Sequence, residues 1–217
     1  MSKKKTFQLN NFKAAQNHTL LLSGTGRQIV SMEYSAVANA QIANLEIQNK
    51  SLQGIVFENS PYISGTIIDS RNKVSGQIAI GSSTQFGEGH FGGSVCTLQE
   101  ISIKNGEEIE IEGDMEVDGP VYIRGSLWVR GNLDIVYTGD RYGLSMEEGS
   151  LRVGKDFTTG KTSKRTYGIS MTHEADHILV EGDFLYQLNI IPLGSHQFPA
   201  WEPPASFFLE SHPRHKI

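Results

Sequence analysis

The residues with the clearest chemical signature are His173-Glu174-Ala175-Asp176-His177, which match the string H-E-x-x-H. In zinc hydrolases this string lies on a helix, where both histidines bind Zn²⁺ and the glutamate acts as general base. A hydrolase hypothesis therefore assigns metal binding to His173 and His177 and catalysis to Glu174. We expect an exposed polar turn instead, because strand-like segments, YGISM and HILVEGDF, flank the string without a helical apolar stripe.

A second stretch, GKDFTTGKT at 154–162, approaches a phosphate-binding loop. That motif has four residues between its first glycine and Gly-Lys-Thr, whereas five stand here. No amphipathic helix follows that could offer its N-terminus to a phosphate. The stretch is therefore interpreted as a solvated turn. Because no other motif of the chain pairs a nucleophile with a base, we predict a non-catalytic protein without a cofactor.

The elements that must position these residues are short repeats built around glycine. Four glycines recur every six residues, each with an apolar residue two positions before it and two after it: Gly113, Gly119, Gly125 and Gly131. The same five-residue unit recurs at 52–56, 63–67, 74–78 and 180–184. Even spacing places the apolar side chains on one face of a strand, and the glycine marks a corner where a Cβ would clash. Such units favour stacked coils over hairpins.

The sequence thus predicts an all-β fold, a single-stranded parallel β-helix (β-solenoid) with short strands and glycine corners. Residues 1–35 are expected to form an N-terminal cap or edge segment. Residues 36–186 are expected to form the solenoid, with a loop insertion at about 79–100. The remaining segment, 187–217, is rich in proline and aromatic residues. It is predicted to be an aromatic cap over the last coil, with a partner-docking segment as the alternative.

Acidic residues alternate with apolar ones across 108–118, which predicts a strand that directs its carboxylates outward. The functional interpretation is an acidic ladder that binds a basic partner through Glu110, Glu112 and Asp114. If one coil has 18 residues, as three hexads would give, Glu112 lies over Arg130. An exposed ion pair between them would stabilise the fold by about 0–1 kcal/mol.

Aromatic residues in two regions are candidates for protein binding. Phe86 and Phe91 lie in the predicted loop insertion, where they either anchor a partner or fold back on the coil. Trp201, Phe207 and Phe208 lie in the C-terminal segment, and exposed aromatic residues of this kind often mark interfaces.

Composition narrows the classes of function. The net charge of −5 offers no basic excess for nucleic acid. No run approaches 18 apolar residues, so no membrane span is expected. Because Cys96 is the single cysteine, an internal disulfide is excluded and a reducing, cytoplasmic location is the simplest expectation.

The glycine-spaced stretch IEGDMEVDGPVYIRGSLWVRGNL (111–133), together with ILVEGDF (178–184), resembles the bactofilins, bacterial β-helical proteins that form polymers. The resemblance extends over roughly residues 109–184. It implies a non-catalytic, self-associating β-helix.

Three hypotheses for function follow. The first is a non-catalytic β-solenoid that binds or assembles with other protein chains, as a scaffold or a filament. The second is an immunity or inhibitor protein that neutralises a bacterial toxin, since a mildly acidic chain with one cysteine and aromatic loops would also suit that role. The third is the zinc-dependent hydrolase of the H-E-x-x-H string.

Overall fold

The computed structural model describes residues 5–8, 17–31, 41–137, 139–160 and 168–187. Within these ranges every regular element is a β-strand, and the strands stack in parallel as a β-solenoid of about 7 turns. The predicted fold class is therefore confirmed. The proposed C-terminal cap falls on residues 188–217, which lie outside the described residues.

The strands are short, as glycine-punctuated repeats require. In chain order they are β1 (Lys5–Gln8), β2 (Thr19–Gly24), β3 (Gln28–Ser31), β4 (Gln41–Ile42), β5 (Asn44–Asn49), β6 (Ile55–Glu58), β7 (Tyr62–Ile63), β8 (Thr66–Asp69), β9 (Val74–Ile80), β10 (Gln85–Phe86), β11 (His90–Phe91), β12 (Ser94–Thr97), β13 (Ile101–Ile103), β14 (Glu108–Ile111), β15 (Met115–Val117), β16 (Val121–Ile123), β17 (Ser126–Val129), β18 (Leu133–Ile135), β19 (Leu144–Met146), β20 (Ser150–Val153), β21 (Phe157–Gly160), β22 (Ile169–Met171), β23 (His177–Val180) and β24 (Phe184–Gln187).

These strands form four parallel sheets that run along the solenoid. Sheet I follows the order β1-β3-β6-β9-β12-β15-β18-β21-β24, with β4 paired to β7 and β7 also paired to β9. Sheet II is β10-β8-β5-β2, sheet III is β11-β14-β17-β20-β23, and sheet IV is β13-β16-β19-β22. Strands that are neighbours in a sheet belong to successive coils of the chain.

Sheet III shows how the register builds the core. Ile111 pairs with Val129, Val129 with Val153, and Val153 with Val180. These four side chains are at most 4% exposed. Burying an aliphatic side chain of this size contributes about 1.5–3 kcal/mol each. The intervals are 18, 24 and 27 residues, so the coil of three hexads holds for the first interval and later coils carry longer loops.

The glycine corners have a steric cause. A Cβ built on Gly125 would lie 2.3 Å from the carbonyl oxygen of Glu107 in the preceding coil. No side chain fits that distance, since carbon and oxygen that are not bonded to each other stay more than 3 Å apart. The glycine is therefore required by the close approach of successive coils, as the repeat predicted.

Two predicted boundaries are wrong. Residues 79–100 are not an inserted loop, because they contain β10, β11 and β12, which pair with the strands of adjoining coils. The solenoid also begins before the predicted residue 36. Within the predicted cap or edge segment, 1–35, β3 pairs with β6 and β2 pairs with β5, so 19–31 already belongs to the stack.

We predict that Val129→Asp unfolds the central coils, because it places an unpaired charge among fully buried side chains. The expected loss is roughly 3–5 kcal/mol of unfolding free energy, measured by urea denaturation followed by circular dichroism. The matched control is Ser145→Asp, on the outward side of β19 between Tyr122 and Ser170. It should unfold within about 0.5 kcal/mol of the wild type. Equal stability of the two variants would contradict the assigned inward face.

Candidate functional site

The H-E-x-x-H string forms the turn between β22 and β23 rather than a helix. His173 Nδ1 accepts a hydrogen bond from the Ala175 N–H at 3.2 Å, and its Nε2 lies 3.4 Å from Glu148 Oε1. His177 Nε2 lies 2.8 Å from Ser150 Oγ on the neighbouring strand. The two imidazoles thus contact different partners. The predicted polar turn is confirmed for these residues.

A zinc centre would need three ligand atoms close to one point. Among the described residues, the one group of three such side chains within 4.8 Å of one another is His90, Glu110 and Glu112. The structure therefore does not bring His173 and His177 into a shared metal cluster with Glu174.

One residue of the turn departs from the predicted exposure. Asp176 is 1% exposed. Its Oδ1 accepts the N–H of Gly149, and its Oδ2 accepts the N–H groups of Thr172 and His173, at 2.8–2.9 Å. Asp176 thus holds the turn closed and ties it to the preceding coil. The sequence did not indicate this role, because only the pairing of β20 with β23 shows that Gly149 lies beside Asp176.

The Ser150–His177 contact is a hydroxyl–imidazole pair that the sequence did not predict, because its members are 27 residues apart. The other ring nitrogen of His177, Nδ1, lies 3.2 Å from the Ala175 carbonyl oxygen. His177 is exposed on the outer side of sheet III. The Ser150–His177 pair is thus open to solvent on the outer side of sheet III.

The predicted acidic ladder is the centre of an ion-pair network on the outer side of sheet III. Glu110 Oε2 lies 2.9 Å from Arg71 Nη1, and Glu110 Oε1 lies 2.5 Å from Arg130 Nε. Arg130 Nε also lies 3.2 Å from Glu112 Oε2, which confirms the predicted Glu112–Arg130 pair. Both carboxylates therefore form ion pairs within the chain, and their predicted contact with a basic partner stays a prediction.

The arginines also set the ionisation of Glu110. Partial burial raises the pKa of this carboxyl, but the hydrogen bonds and charges of Arg130 and Arg71 outweigh burial and leave the pKa below its ordinary value. Glu110 is consequently ionised at neutral pH and contributes to stability there.

His90 connects this network to the core. The imidazole is 2% exposed, with Nδ1 3.3 Å from the Asp69 carbonyl and Nε2 3.4 Å from Glu112 Oε1. A cation bound by His90, Glu110 and Glu112 would compete with Arg71 and Arg130 for the same carboxylates. The arrangement favours an ion-pair network over a metal centre.

Trp128 extends the same face toward the C-terminal coils. Its ring lies between two guanidinium groups, 3.8 Å from that of Arg130 and 4.3 Å from that of Arg152. Arg152 in turn pairs with Glu181 at 2.6 Å. Cation–π contacts of this kind contribute about 0.5–1 kcal/mol each at exposed sites. The face is thus tied together across four successive strands of sheet III.

Asp114, the third member of the predicted acidic site, belongs to a corner between sheets III and I. Its Oδ1 accepts the N–H of Asn132 at 2.7 Å. Asn132 Oδ1 accepts the N–H of Asp156, and Asp156 Oδ1 accepts the N–H of Asp183, at 3.2 and 2.9 Å. Each side chain therefore bonds the backbone of the next coil. Asp114 therefore has a structural role, as the first member of this series of hydrogen bonds between coils.

The predicted aromatic anchors separate into three groups. Phe91 is fully buried, with its ring centroid 6.3 Å from that of Phe57, so of the two alternatives it folds back on the coil and is not an exposed anchor. The position of Phe91 in its strand explains this burial, because Phe91 pairs with Ile111, whose side chain faces inward. Phe86 is half-buried and packs against the core. Trp201, Phe207 and Phe208 lie outside the described residues.

A cavity of about 480 Å³ lies between β10 and β13, beside Phe86, Ile101, Ile103 and Ile109. Sequence reasoning missed it. The sequence feature that could have indicated the cavity is the pair of glycines in FGEGHF (86–91), which leaves two positions of this coil without side chains.

Comparison of the chain with protein-family models, with curated proteins and with solved structures finds no match. Within the described ranges, no helix has the length and apolar character that a membrane crossing requires. A functional proposal therefore depends on the geometry of the chain itself.

We predict that Glu110→Gln lowers the unfolding free energy by roughly 0.5–1 kcal/mol at pH 7, a modest value because Arg71 and Arg130 are 65% and 41% exposed. A carboxyl whose pKa is lowered by folding stabilises the fold above its ordinary pKa, and this stabilisation is lost as the pH falls through the lowered value. The difference from wild type should thus begin to shrink as the pH falls below about 4.3, the ordinary pKa of a glutamate, and vanish only below the lowered pKa of Glu110. Urea titrations between pH 3 and 7 test this, and a difference that grows on acidification would contradict it.

We predict opposite outcomes for two residues of the turn. Asp176→Ala leaves three backbone N–H groups without their acceptor and should cost about 2–3 kcal/mol. His173→Ala removes an exposed side chain and should stay within about 0.5 kcal/mol of wild type. Thermal unfolding of both variants provides the comparison. A large loss for His173→Ala would mean that the imidazole has a structural role that its exposure does not indicate.

Proposed function

We propose that this chain is a non-catalytic β-solenoid protein that assembles with other protein chains, with self-association at the C-terminal end of the solenoid as its main mode. The observation that carries the proposal is the exposure of core residues in the last coil. Ile169 and Met171 pair with Leu144 and Met146. The latter two are 0% and 2% exposed, whereas Ile169 and Met171 are only partly buried.

The backbone at this end supports the same proposal. In sheet IV the N–H of each inward residue points to the following coil, as Leu144 shows by donating to the Gly168 carbonyl at 3.0 Å. By the same register, the N–H of Ile169 points beyond the last coil. Sheet IV ends at β22 and sheet III at β23, with no further strand among the described residues. An edge of this kind is a template for pairing with another chain.

The resemblance of 109–184 to the bactofilins points in the same direction, since it implies a self-associating β-helix. The chemistry of Cys96 agrees with a non-catalytic role. Burial raises the pKa of this thiol, and the neighbouring Glu116 raises it further. The thiolate, which is the reactive form, is thus disfavoured. A reducing, cytoplasmic location is part of this proposal.

The test is sedimentation velocity of the full chain in physiological salt. We expect the wild type to sediment as species larger than one chain of 23.9 kDa, with a mass that rises with concentration. Met171→Lys places a charge on the partly exposed core surface of the last coil and should shift the protein to single chains. Ser170→Lys, on the adjacent outward position of the same strand, is the matched control and should still assemble.

A wild-type protein that sediments as a discrete 23.9 kDa species at all concentrations would overturn the proposal. That result would favour the alternative of a monomeric inhibitor of a bacterial toxin. Equal assembly of both lysine variants would show that association uses another surface than the last coil.

A further inference from the structure

The solenoid has a gap between two successive coils on one side. β10 is the last strand of sheet II and β13 is the first strand of sheet IV. These strands lie one coil apart, yet they do not pair, although their coils are joined through β11–β14 in sheet III and β12–β15 in sheet I. The cavity of about 480 Å³ fills the space between them.

Two glycines, Gly87 and Gly89, line the gap. β11 pairs with β14 only at His90 and Phe91, so Gly89 is the position that faces Ile109. Ile109 is partly exposed, whereas its partner in the next coil, Leu127, is 1% exposed. Together with Ile101 and Ile103, Ile109 gives the cavity an apolar floor.

The walls of the gap carry backbone groups that face it. Gln85 and Gly87 donate their N–H groups to Gly65 and Ile67 of the preceding coil, so Phe86, between them, directs its N–H to the opposite side. In β13 the backbone of Ile101 and Ile103 bonds toward β16, so Ser102 directs its backbone groups into the gap.

Apolar floor and polar walls together suit an extended peptide. Its main chain can bond the strand edges while alternate side chains enter the cavity.

The rim of the gap is acidic. Glu107 and Glu108 line it with a single cation, Lys104, and Glu88 follows immediately in the chain after lining residue Gly87. An occupant with basic residues beside its apolar ones would therefore be favoured electrostatically.

Residues 205–216, ASFFLESHPRHK, have this composition, with two phenylalanines and a leucine, then one acidic residue, Glu210, and then Arg214 and Lys216. In an extended strand Phe207 and Leu209 project to the same side. We propose that this segment binds in the gap, with Phe207 and Leu209 in the apolar cavity and the basic residues at the acidic rim.

The chain is long enough for this arrangement. Sheet I places β24 four strands from β12, which is about 19 Å at a strand spacing of about 4.8 Å. Phe207 comes twenty residues after Gln187, and a chain of that length spans up to about 66 Å when extended. The proposal is independent of association at the last coil, because the gap lies in the middle of the solenoid.

Disulfide trapping in the full chain tests the proposal. In a Cys96→Ser background, Ser102→Cys combined with Ser206→Cys should cross-link under mild oxidation at least tenfold faster than Thr158→Cys combined with Ser206→Cys. Thr158 lies on sheet I, away from the gap. Adding Phe207→Ser and Leu209→Ser should reduce the Ser102 pair to the rate of the control. Cross-linked product within one chain or between two copies supports the same binding site.

Equal cross-linking rates of the two pairs would overturn the proposal. Amide hydrogen exchange of the chain without engineered cysteines provides the second measurement. The Phe207→Ser/Leu209→Ser variant should exchange the amides of Phe86 and Ser102 at least tenfold faster than wild type, while that of Trp128 keeps its rate. Unchanged exchange at Phe86 and Ser102 would contradict occupation of the gap by this segment.

Discussion

The spacing between successive coils, about 4.8 Å in a parallel sheet, is the constraint on which the rest of the molecule depends. It fixes what each position in the repeat can be. Inward positions stack directly on one another, so they are apolar, as Ile111, Val129, Val153 and Val180 show. At the corners the backbones approach more closely than a side chain permits, so a glycine such as Gly125 is required. The apolar core and the glycine corners thus both follow from the spacing between successive coils.

The same register organises the outer surface. Residues that share an outward position lie one strand spacing apart, which is within reach of long charged side chains. Arg130 therefore pairs with Glu110 and Glu112 of the preceding coil, and Arg152 pairs with Glu181 of the following one. Asp114 and Asn132 bond the backbone of the next coil in the same way. Much of the charge on this surface is consequently used to hold coils together, and less of it is free for partners.

The extent to which the sequence predicted this structure follows from the regularity of the repeat. Where hexads run without a break, the sequence indicates whether each side chain faces inward or outward. The inward side chains and the Glu112–Arg130 pair were therefore predicted correctly. Where glycines fall out of that spacing, at Gly87 and Gly89, parity was not readable, and a real coil was interpreted as an inserted loop. For a related reason the buried position of Asp176 was missed, and the burial of Phe91 was left as one of two alternatives. Each depends on which residue lies beside it in a neighbouring coil, and that register is a property of the stack rather than of the local sequence.

The regular stacking of the coils also explains why the H-E-x-x-H string alone does not assign a catalytic site. A helix would place two histidines four residues apart on one face, whereas a turn between two strands directs them to different neighbours. His173 faces Glu148 and His177 faces Ser150, each set by the coil beneath. Distinctive surfaces arise instead where stacking is interrupted, because only there do core side chains and backbone groups of the strands face outward together. The gap at Phe86 and Ser102 and the partly exposed Ile169 and Met171 are such places, and we propose that each receives another stretch of polypeptide.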